Sequence, residues 1–334
     1  MIFDIGALVL ALLIILAGAE LFTNALEHVG QRYALSEGLV GSVLAAVATA
    51  LPETIVPIVA VFFGGSTTEV REHIGIGAIL GAPLMLASIA MALIALFAGM
   101  KRGWRAPLKP EISGFLRDLL YFLVAFIIAF IALFIPANQF GARVVATAIL
   151  VFIYVNYVIN TIRASKLLVE QGHGTQADAA LWLGRIGIPH SLSSEIAQLT
   201  LGLVFIIAGA KLFVYGVEQA AALTGVGVLA LSLLIIPVAT EMPEKFNSIL
   251  WIRRHKDTLA FGNVTGALVF QGTLLPAFGI QLGAWQPRPD ILWAMGLTFA
   301  AALWVLFLGF IHRLTPVWLI FSGLTYVALC FLVT

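Results

Sequence analysis

Two stretches of this chain read Val47-Ala48-Thr49-Ala50-Leu51-Pro52-Glu53 and Val238-Ala239-Thr240-Glu241-Met242-Pro243-Glu244. They lie 191 residues apart, and each places a Thr, a Pro and a Glu at identical spacing within a long apolar run. The match extends back without a gap to Gly18 and Gly209, with ten identities in 36 pairs. A shared apolar composition does not explain polar residues that match in this way. We therefore infer that the chain contains an internal duplication.

The composition indicates that the bilayer is the solvent of this chain. Hydrophobic residues make up 61% and charged residues 10% of the 334 residues, against roughly 45–50% and roughly 25% in soluble proteins. The net charge of +1 argues against a nucleic-acid partner, which requires clustered Lys and Arg. Cys330 is the only cysteine, so no intrachain disulfide is possible. The first residues, MIFDIG, lack the basic segment of a signal peptide, so we expect the first helix to be retained.

The apolar runs predict an all-α polytopic membrane protein. About 20 apolar residues are needed to cross the hydrocarbon core as a helix. Ten runs meet this requirement, at 3–29, 37–63, 73–98, 115–135, 140–164, 195–221, 226–252, 257–280, 289–311 and 315–333. The segment 165–194 is the only credible linker, and it divides the chain into the five-helix halves 1–164 and 195–334. Because each half has an odd number of spans, the duplication predicts two inverted repeats.

The basic residues predict the orientation of these spans. Thirteen of the 18 Lys and Arg residues fall on the side of the predicted linker, three fall on the side of the termini, and two lie inside spans. Basic residues concentrate in cytoplasmic loops. We therefore expect a cytoplasmic linker and both termini outside, in a protein of the plasma membrane.

The repeated Pro-Glu pairs predict a cation site near the middle of the membrane. A carboxylate there costs about 3 kcal/mol or more, so Glu53 and Glu244 must face the interior of the bundle. Pro52 and Pro243 should break or kink their helices and free backbone carbonyls beside Thr49 and Thr240. A kink stabilised by a protonated carboxyl is the simpler reading of one such element. Two at equivalent depth favour a cluster of oxygens of the kind that binds calcium or sodium.

Glu241 has no acidic counterpart in the first repeat, where Ala50 stands. It lies three residues before Glu244 and four before Lys245, so it either adds a ligand or only neutralises Lys245. Glu53, Glu241 and Glu244 together with Lys245 carry a charge of −2, which one divalent cation would balance. Amide oxygens could come from Asn263 and Gln271, although such residues also make hydrogen bonds between helices.

The remaining polar residues give weaker signals. We expect acidic and basic residues near the ends of spans to reach the interface or to pair between helices: Glu20, Glu27, Lys211 and Glu218. The six histidines show no metal-ligand spacing, and no nucleophile elbow, Walker loop or HExxH motif is present. These patterns predict a transporter without a cofactor rather than an enzyme.

At these residues the chain resembles the calcium/cation antiporter superfamily, the membrane region of sodium/calcium exchangers. That superfamily has two inverted five-helix halves, each with an alpha-repeat that contains G-T-S-x-P-E and then G-N-x-x-G-S-N-x-F-N. Here the repeats would span about 18–90 and 209–280. The second motif is recognisable in the second half as Gly262-Asn263-Val264-Thr265-Gly266-Ala267-Leu268-Val269-Phe270-Gln271.

The resemblance implies roles for individual residues. Glu53 and Glu244 match the acidic pair that coordinates the transported cation, Thr49 and Thr240 match flanking ligands, and Gln271 takes the place of the last ligand. Several oxygen-bearing positions of sodium exchangers are replaced in this chain, by Ala50, Glu241, Ala78, Ala82 and Ala267. The loss of these oxygens favours protons over three sodium ions as the counter-ion.

The sequence thus predicts a secondary antiporter that exports calcium, or a related divalent cation, in exchange for sodium or protons. Inorganic cations and the lipid bilayer are its expected partners. A sodium/proton antiporter without divalent transport is an alternative in the same class. A passive cation channel and an intramembrane enzyme that uses the Glu pair as acid and base are further alternatives. The inverted repeat favours a carrier over a channel.

Overall fold

A computed structural model describes residues 2–50, 54, 58, 68–177, 179–224, 241–281 and 285–333. Within these residues seven helices are long and apolar enough to cross a membrane. They cover Val9–Arg32, Gly75–Arg102, Ile112–Ala132, Phe140–Glu170, Leu192–Gly209, Asp257–Gln281 and Pro289–Phe310. A shorter apolar helix covers Pro316–Leu332. The prediction of a helical membrane protein is therefore confirmed.

The helical elements are numbered in chain order, and three of them are composite. They are α1 (Ile2–Arg32), α2 (Glu37–Leu39, the π-helical Val40–Ala45, and Ala46–Thr49), α3 (Thr68–Met85, the π-helical Leu86–Ala90, and Met91–Arg102), α4 (Ile112–Ala132), α5 (Phe140–Glu170), α6 (Leu192–Thr224), α7 (Met242–Arg253), α8 (Asp257–Gln281), α9 (Pro289–Phe310) and α10 (Pro316–Leu319, the 3-10 turn Ile320–Ser322, and Gly323–Val333). A single further turn, Trp182–Arg185, lies between α5 and α6.

These elements account for most of the predicted spans. Seven predicted spans coincide with the seven long helices, and the predicted run 315–333 coincides with α10. The predicted spans 37–63 and 226–252 extend into residues outside the described part of the chain. The ten-span count therefore remains a prediction.

The α8 helix is the centre of the bundle. Of its most apolar window 94% is buried inside the protein, against 22% for α5, whose apolar side chains face outward as expected next to lipid. The α8 helix packs against α2, α3, α4, α5 and α7. Its polar residues therefore face other helices and not the bilayer, and this position makes α8 the scaffold of the candidate site.

The α1 and α6 helices cross through a reciprocal contact of small residues. A Cβ atom added at Gly18 would lie 2.8 Å from the Gly202 carbonyl oxygen, and one added at Gly202 would lie 2.8 Å from the Gly18 carbonyl oxygen. Gly209 in turn meets Ala11. Positions 11 and 202, like 18 and 209, are 191 residues apart. The contact between Gly18 and Gly202 therefore corresponds, at the offset of the repeat, to the contact between Gly209 and Ala11.

The π-helical part of α2 lies directly against α8. A Cβ atom at Gly266 would overlap the backbone of Ser42, so only glycine permits this approach. A π-helical turn rotates the residues that follow it relative to an α-helix, and such turns are frequent at functional sites. In α2 this turn immediately precedes Ala46–Thr49. The close packing therefore sets the position of Thr49 relative to α8.

The predicted linker is docked on the ends of α1 and α2. The Ser36 and Gly174 backbones form an isolated β-bridge, and the Asn24 side chain contacts the Ala179 carbonyl. Arg32 forms two hydrogen bonds with the Glu195 carboxylate, at 2.8 and 2.7 Å. The end of the molecule that carries these contacts is called the linker side below.

Candidate cation site

Two acidic residues begin the α7 helix inside the bundle. Glu241 occupies the N-cap position, Pro243 lies in the first two helical positions, and Glu244 lies in the first turn. Proline suits this place because its fixed φ matches a helix and its missing N–H would have had no helical partner. The remaining unpaired N–H groups make the helix start positive, which stabilises nearby carboxylates. The local sequence therefore places two acids where a helix begins.

Both carboxylates are buried and only one is partnered. Glu241 and Glu244 are 0% exposed, and Lys245 is 3% exposed. The Lys245 ammonium lies 3.1 Å from Glu241 Oε2. Glu241 Oε1 and both carboxylate oxygens of Glu244 have no hydrogen-bond partner within the described residues. Buried carboxylates without partners are strongly destabilising, so these oxygens fit a site that a cation completes.

Asn263 on α8 connects the acidic pair to α2. Its amide nitrogen donates to the Glu244 carbonyl oxygen at 3.0 Å and contacts Ser248 Oγ at 3.2 Å. Its amide oxygen lies 3.5 Å from Thr49 Oγ1. Thr49 also donates to the Ala45 carbonyl at 2.9 Å. The last turn of α2 and the first turn of α7 are thus held together through one amide of α8.

Thr49 and Gln271 complete the group around the two acids. The Thr49 hydroxyl lies near the Glu244 carboxylate, and the Gln271 amide lies near the Glu241 carboxylate. Gln271 is 0% exposed, and both of its amide atoms are without a hydrogen-bond partner in the described structure. Carboxylate, hydroxyl and amide oxygens are the ligands that hard cations prefer. The chemistry of the group therefore suits calcium or sodium better than a soft transition metal.

Four of the six predicted site residues are brought together in this way: Thr49, Glu241, Glu244 and Gln271. Glu53 and Thr240 lie outside the described residues, so their positions remain predictions. The Glu241–Lys245 pair predicted from the sequence is present, yet one oxygen of Glu241 is still free to bind a cation. Both sequence-based roles for Glu241 are compatible with this geometry.

A second buried acid, Asp118 on α4, escaped the sequence reasoning. Asp118 is 0% exposed, and its Oδ2 accepts hydrogen bonds from Ser42 Oγ at 2.7 Å and from Thr265 Oγ1 at 2.8 Å. Arg117 Nε lies 3.8 Å from Oδ1. The signal in the sequence was an aspartate beside the start of a predicted span at 115–135. Its hydroxyl partners lie on α2 and α8, so Asp118 joins the two helices that carry Thr49 and Gln271.

Two histidines and a glutamate lie close together beside the predicted linker. His28, His190 and Glu195 bring three potential metal-ligand atoms within 4.8 Å of one another, although their spacing along the chain gave no sign of this. Arg32, however, occupies both oxygens of Glu195, and His190 Nε2 contacts Oε1 of the same carboxylate at 2.8 Å. A guanidinium at this carboxylate disfavours a metal ion, so the cluster is better described as an ion pair that fastens α1 to α6.

The family model described as "Sodium/calcium exchanger protein" matches residues 3–163 and 194–334. The chain belongs to the sodium/calcium exchanger family. The unmatched residues are 1–2 and 164–193, and the second segment coincides with the predicted linker to within one residue at each end. Every residue of the candidate cation site lies inside the match, and the predicted resemblance is confirmed.

Individual relatives and solved structures agree with this membership in the exchanger family. A protein of Alkalimonas amylolytica named "Putative antiporter CaxA" is 25% identical over 321 residues, which cover 92% of this chain and 91% of that protein. A Methanocaldococcus jannaschii protein named "Uncharacterized membrane protein MJ0091" is 19% identical over 272 residues, with 80% and 78% covered. A structure of the sodium-calcium exchanger NCX_Mj, soaked with sodium and calcium, matches with a TM-score of 0.70 at 18% identity. That match covers 98% of this chain and 97% of the other, so the two proteins share a fold.

Proposed function

We propose that this chain is a secondary active antiporter that exchanges calcium, or a related divalent cation, for protons or sodium by alternating access. The observation that carries the proposal is the Glu241/Glu244 pair, which presents three buried carboxylate oxygens without partners. Lys245 offsets one of the two charges. If Glu53 joins them as the repeat predicts, the site carries the charge of −2 that one divalent cation balances. A transport role, and no enzymatic one, agrees with membership in an exchanger family.

We also propose the architecture that such a carrier requires. It has ten spans as two inverted five-helix halves, 1–164 and 195–334, with helices broken near the middle of the membrane. The reciprocal contact of Gly18 and Gly209 with their partners supports the duplication. The end of α2 at Thr49 and the start of α7 at Met242 support the breaks, because a helix stops or begins beside each predicted ligand group.

The proton is the counter-ion that we favour over sodium. Four buried alanines stand where the resemblance to sodium exchangers implies oxygen ligands: Ala50, Ala78, Ala82 and Ala267. Sodium must exchange its hydration shell for fixed oxygens, and methyl groups supply none. Glu241 adds instead a second acid beside Glu244, and repulsion between two buried carboxylates favours a proton on one of them. A divalent cation that binds between them would release that proton.

Calcium flux in proteoliposomes under separately imposed sodium and pH gradients tests this proposal. We expect a pH gradient to drive calcium movement in the absence of sodium. Calcium movement that responds to sodium alone, at clamped pH, would assign sodium as the counter-ion. Sodium/proton exchange without calcium flux would support the alternative antiporter. Calcium flux that is not accelerated by calcium on the opposite side would indicate a passive channel.

The orientation is tested separately by cysteine labelling. His173 in the linker is exposed. In a Cys330→Ala background, a His173→Cys protein should not react with an impermeant maleimide added outside intact cells. It should react once the cells are opened. Prompt labelling from outside would reverse the proposed topology, in which the linker is cytoplasmic and both termini lie outside the plasma membrane.

A further inference from the structure

A narrow polar cavity lies between α1 and α7 on the linker side, apart from the ligands described above. Its lining includes Glu20, Thr23, Glu27, Asn247, Trp251 and Arg254. The space open to the centre of a water molecule inside it is about 20 Å³. One water molecule needs about 10–15 Å³ by this measure, so the cavity can hold a water or a small cation. It is largely enclosed by protein and extends to the docked linker at Ala179.

Asn247 is the unusual residue of this cavity. It is 2% exposed, and neither its amide nitrogen nor its amide oxygen has a hydrogen-bond partner in the described structure. A buried polar group left unpaired costs about 1–3 kcal/mol. Asn247 follows Glu244 by three residues on α7, so the two share one helix face about 4.5 Å apart along the axis. An unpaired amide therefore lies one turn from the unpaired carboxylate of the candidate site, in the direction of the linker side.

The α1 helix faces this amide with a polar stripe. Glu20, Thr23 and Glu27 lie on one helix face, because they are separated by three and four residues. Thr23 Oγ1 donates to the Ala19 carbonyl at 2.9 Å. Glu27 accepts a hydrogen bond of 2.6 Å from the Trp251 indole nitrogen. The stripe therefore offers one acid that is already engaged, Glu27, and one nearer the middle of the bilayer, Glu20.

The charges around the cavity are arranged unequally along it. Lys256 Nζ lies 3.5 Å from Glu27 Oε2 and offsets that carboxylate. Arg254 is exposed and lies at the end of α7. Glu20 is twelve residues before the end of α1, about 18 Å along the axis, and thus lies deeper than Glu27, the acid that Lys256 offsets. The deeper part of the cavity is consequently the more favourable for a cation.

We propose that this cavity is a second cation-binding station, at which the transported cation stops between the linker side and the Glu241/Glu244 pair. Glu20 supplies charge and the Asn247 amide oxygen supplies a neutral ligand. The bound species is a hard cation of the same class as at the main site, because both ligands are oxygens. The proposal rests on the proposed function, since a station has a role only if a cation passes along this route.

The test is the sidedness of calcium affinity in proteoliposomes whose protein orientation is known. Glu20→Gln should raise the calcium KM measured from the linker side at least fivefold and leave the KM from the opposite side unchanged. Asn247→Asp adds a charge without a change of shape, and it should lower the KM on the linker side. Glu170→Gln is the matched control, because Glu170 is an exposed acid at the linker-side end of α5 and outside the cavity. It should change neither KM.

The outcomes separate the station from the function on which it rests. If the parent protein transports calcium and neither cavity variant changes the KM on the linker side, the station is refuted and the cavity holds only water. Equal changes on both sides would also refute it, because they indicate an indirect effect on the main site. If the parent protein moves neither calcium nor another divalent cation, the proposed function fails, and the station fails with it. The two variants act in opposite directions, so the poor folding of one does not reproduce the expected result.

Discussion

Glu244 and Asp118 are both 0% exposed inside the same bundle, yet their oxygens are satisfied very differently. Asp118 Oδ2 accepts hydrogen bonds from hydroxyls of α2 and α8, at 2.7 and 2.8 Å, while Oδ1 has no hydrogen-bond partner among the described residues and lies 3.8 Å from Arg117 Nε. Both oxygens of Glu244 are without such partners in the part of the chain that is described. A carboxylate that is held by fixed donors has little need of a cation. A carboxylate without donors needs a proton or a cation to complete it.

The nearby positive charges also differ between the two acidic regions. Lys245 Nζ lies 3.1 Å from Glu241 and is 3% exposed, so this ion pair is buried with the candidate site. Arg117 Nε lies 3.8 Å from Asp118 Oδ1, and its side chain is 17% exposed. In the first region two carboxylates, those of Glu241 and Glu244, lie beside one ammonium group. In the second region one carboxylate lies beside one guanidinium and two hydroxyl donors, so its charge is close to balanced. We therefore propose cation binding at the Glu241/Glu244 region and a structural connection of helices at Asp118.

The largest expected effect is that of Glu244→Gln. The change keeps the side-chain volume but removes the charge, and losing a charged partner in a buried site costs about 3 kcal/mol or more, or about 100-fold or more in cation affinity. Calcium flux in proteoliposomes should fall accordingly, while the purified protein remains folded. The repeat predicts the same loss for Glu53→Gln, and Glu170→Gln is the control. Calcium transport and binding at the parental level in either variant would refute the assignment of that acid as a ligand.

Lys245→Met tests whether Glu241 binds the cation or only neutralises Lys245. The substitution breaks a buried ion pair, which costs about 3–5 kcal/mol. If Glu241 is a ligand, calcium should restore much of this loss, so the calcium-dependent rise in Tm should be larger than in the parent protein. The comparison variant is Arg117→Met, whose smaller effect should not depend on calcium. An equal loss of Tm with and without calcium would leave Glu241 with the neutralising role alone.

Asp118→Ala should act on stability and not on cation affinity. It removes the acceptor of two buried hydroxyls, those of Ser42 and Thr265, at a cost of about 1–3 kcal/mol. Thermal unfolding in detergent should detect the change, and Asp118→Asn, which keeps an acceptor oxygen, should lose less. The calcium KM of the reconstituted variants should stay near that of the parent. A rise in KM comparable to that of a Glu244 variant would erase the distinction between the two acids.

Thr49→Val has the smallest expected effect. The substitution preserves the shape of the side chain and removes the hydroxyl that lies between Ala45, Asn263 and Glu244. The loss of one such oxygen corresponds to about 1 kcal/mol, or about a fivefold rise in the calcium KM. Thr161→Val is the matched control, because Thr161 is also buried and donates to the carbonyl four residues before it, at Tyr157 on α5. If both variants change the KM equally, Thr49 is not a ligand.

Most of the long helices were predictable because the bilayer sets their length. The predicted runs 115–135 and 289–311 correspond to Ile112–Ala132 and Pro289–Phe310. A continuous apolar segment of about 20 residues is needed to cross the hydrocarbon, and hydropathy detects it directly. The π-helical turns at Val40–Ala45 and Leu86–Ala90 were not predictable. They depend on how α2 and α3 pack against other helices, which no local pattern contains.

Part of the candidate site was predictable for a different reason. The repeated spacing matched Thr49 with Thr240 and Glu53 with Glu244, and a carboxylate in an apolar run is conspicuous by its cost. Asp118 and Asn247 were missed because their environments come from elsewhere in the chain. The two hydroxyl donors of Asp118 are 76 and 147 residues away. Asn247 stands out because its buried amide has no hydrogen-bond partner among the described residues, and a sequence alone does not show this.

The sequence by itself determined that this protein is a helical membrane protein, and it predicted a duplication and a helix break beside Glu244. These properties follow from the length of apolar runs, the distribution of charge and the repeated spacing, all of which can be read along the chain. Only the tertiary structure decided which buried polar atoms are satisfied: the Asp118 oxygen by two hydroxyls, the Glu244 carbonyl by Asn263, and the Glu244 carboxylate by no described group. Hydrogen bonding depends on distances of about 3 Å between helices that are remote along the chain. That geometry separates an acid that connects helices from an acid that can bind a cation.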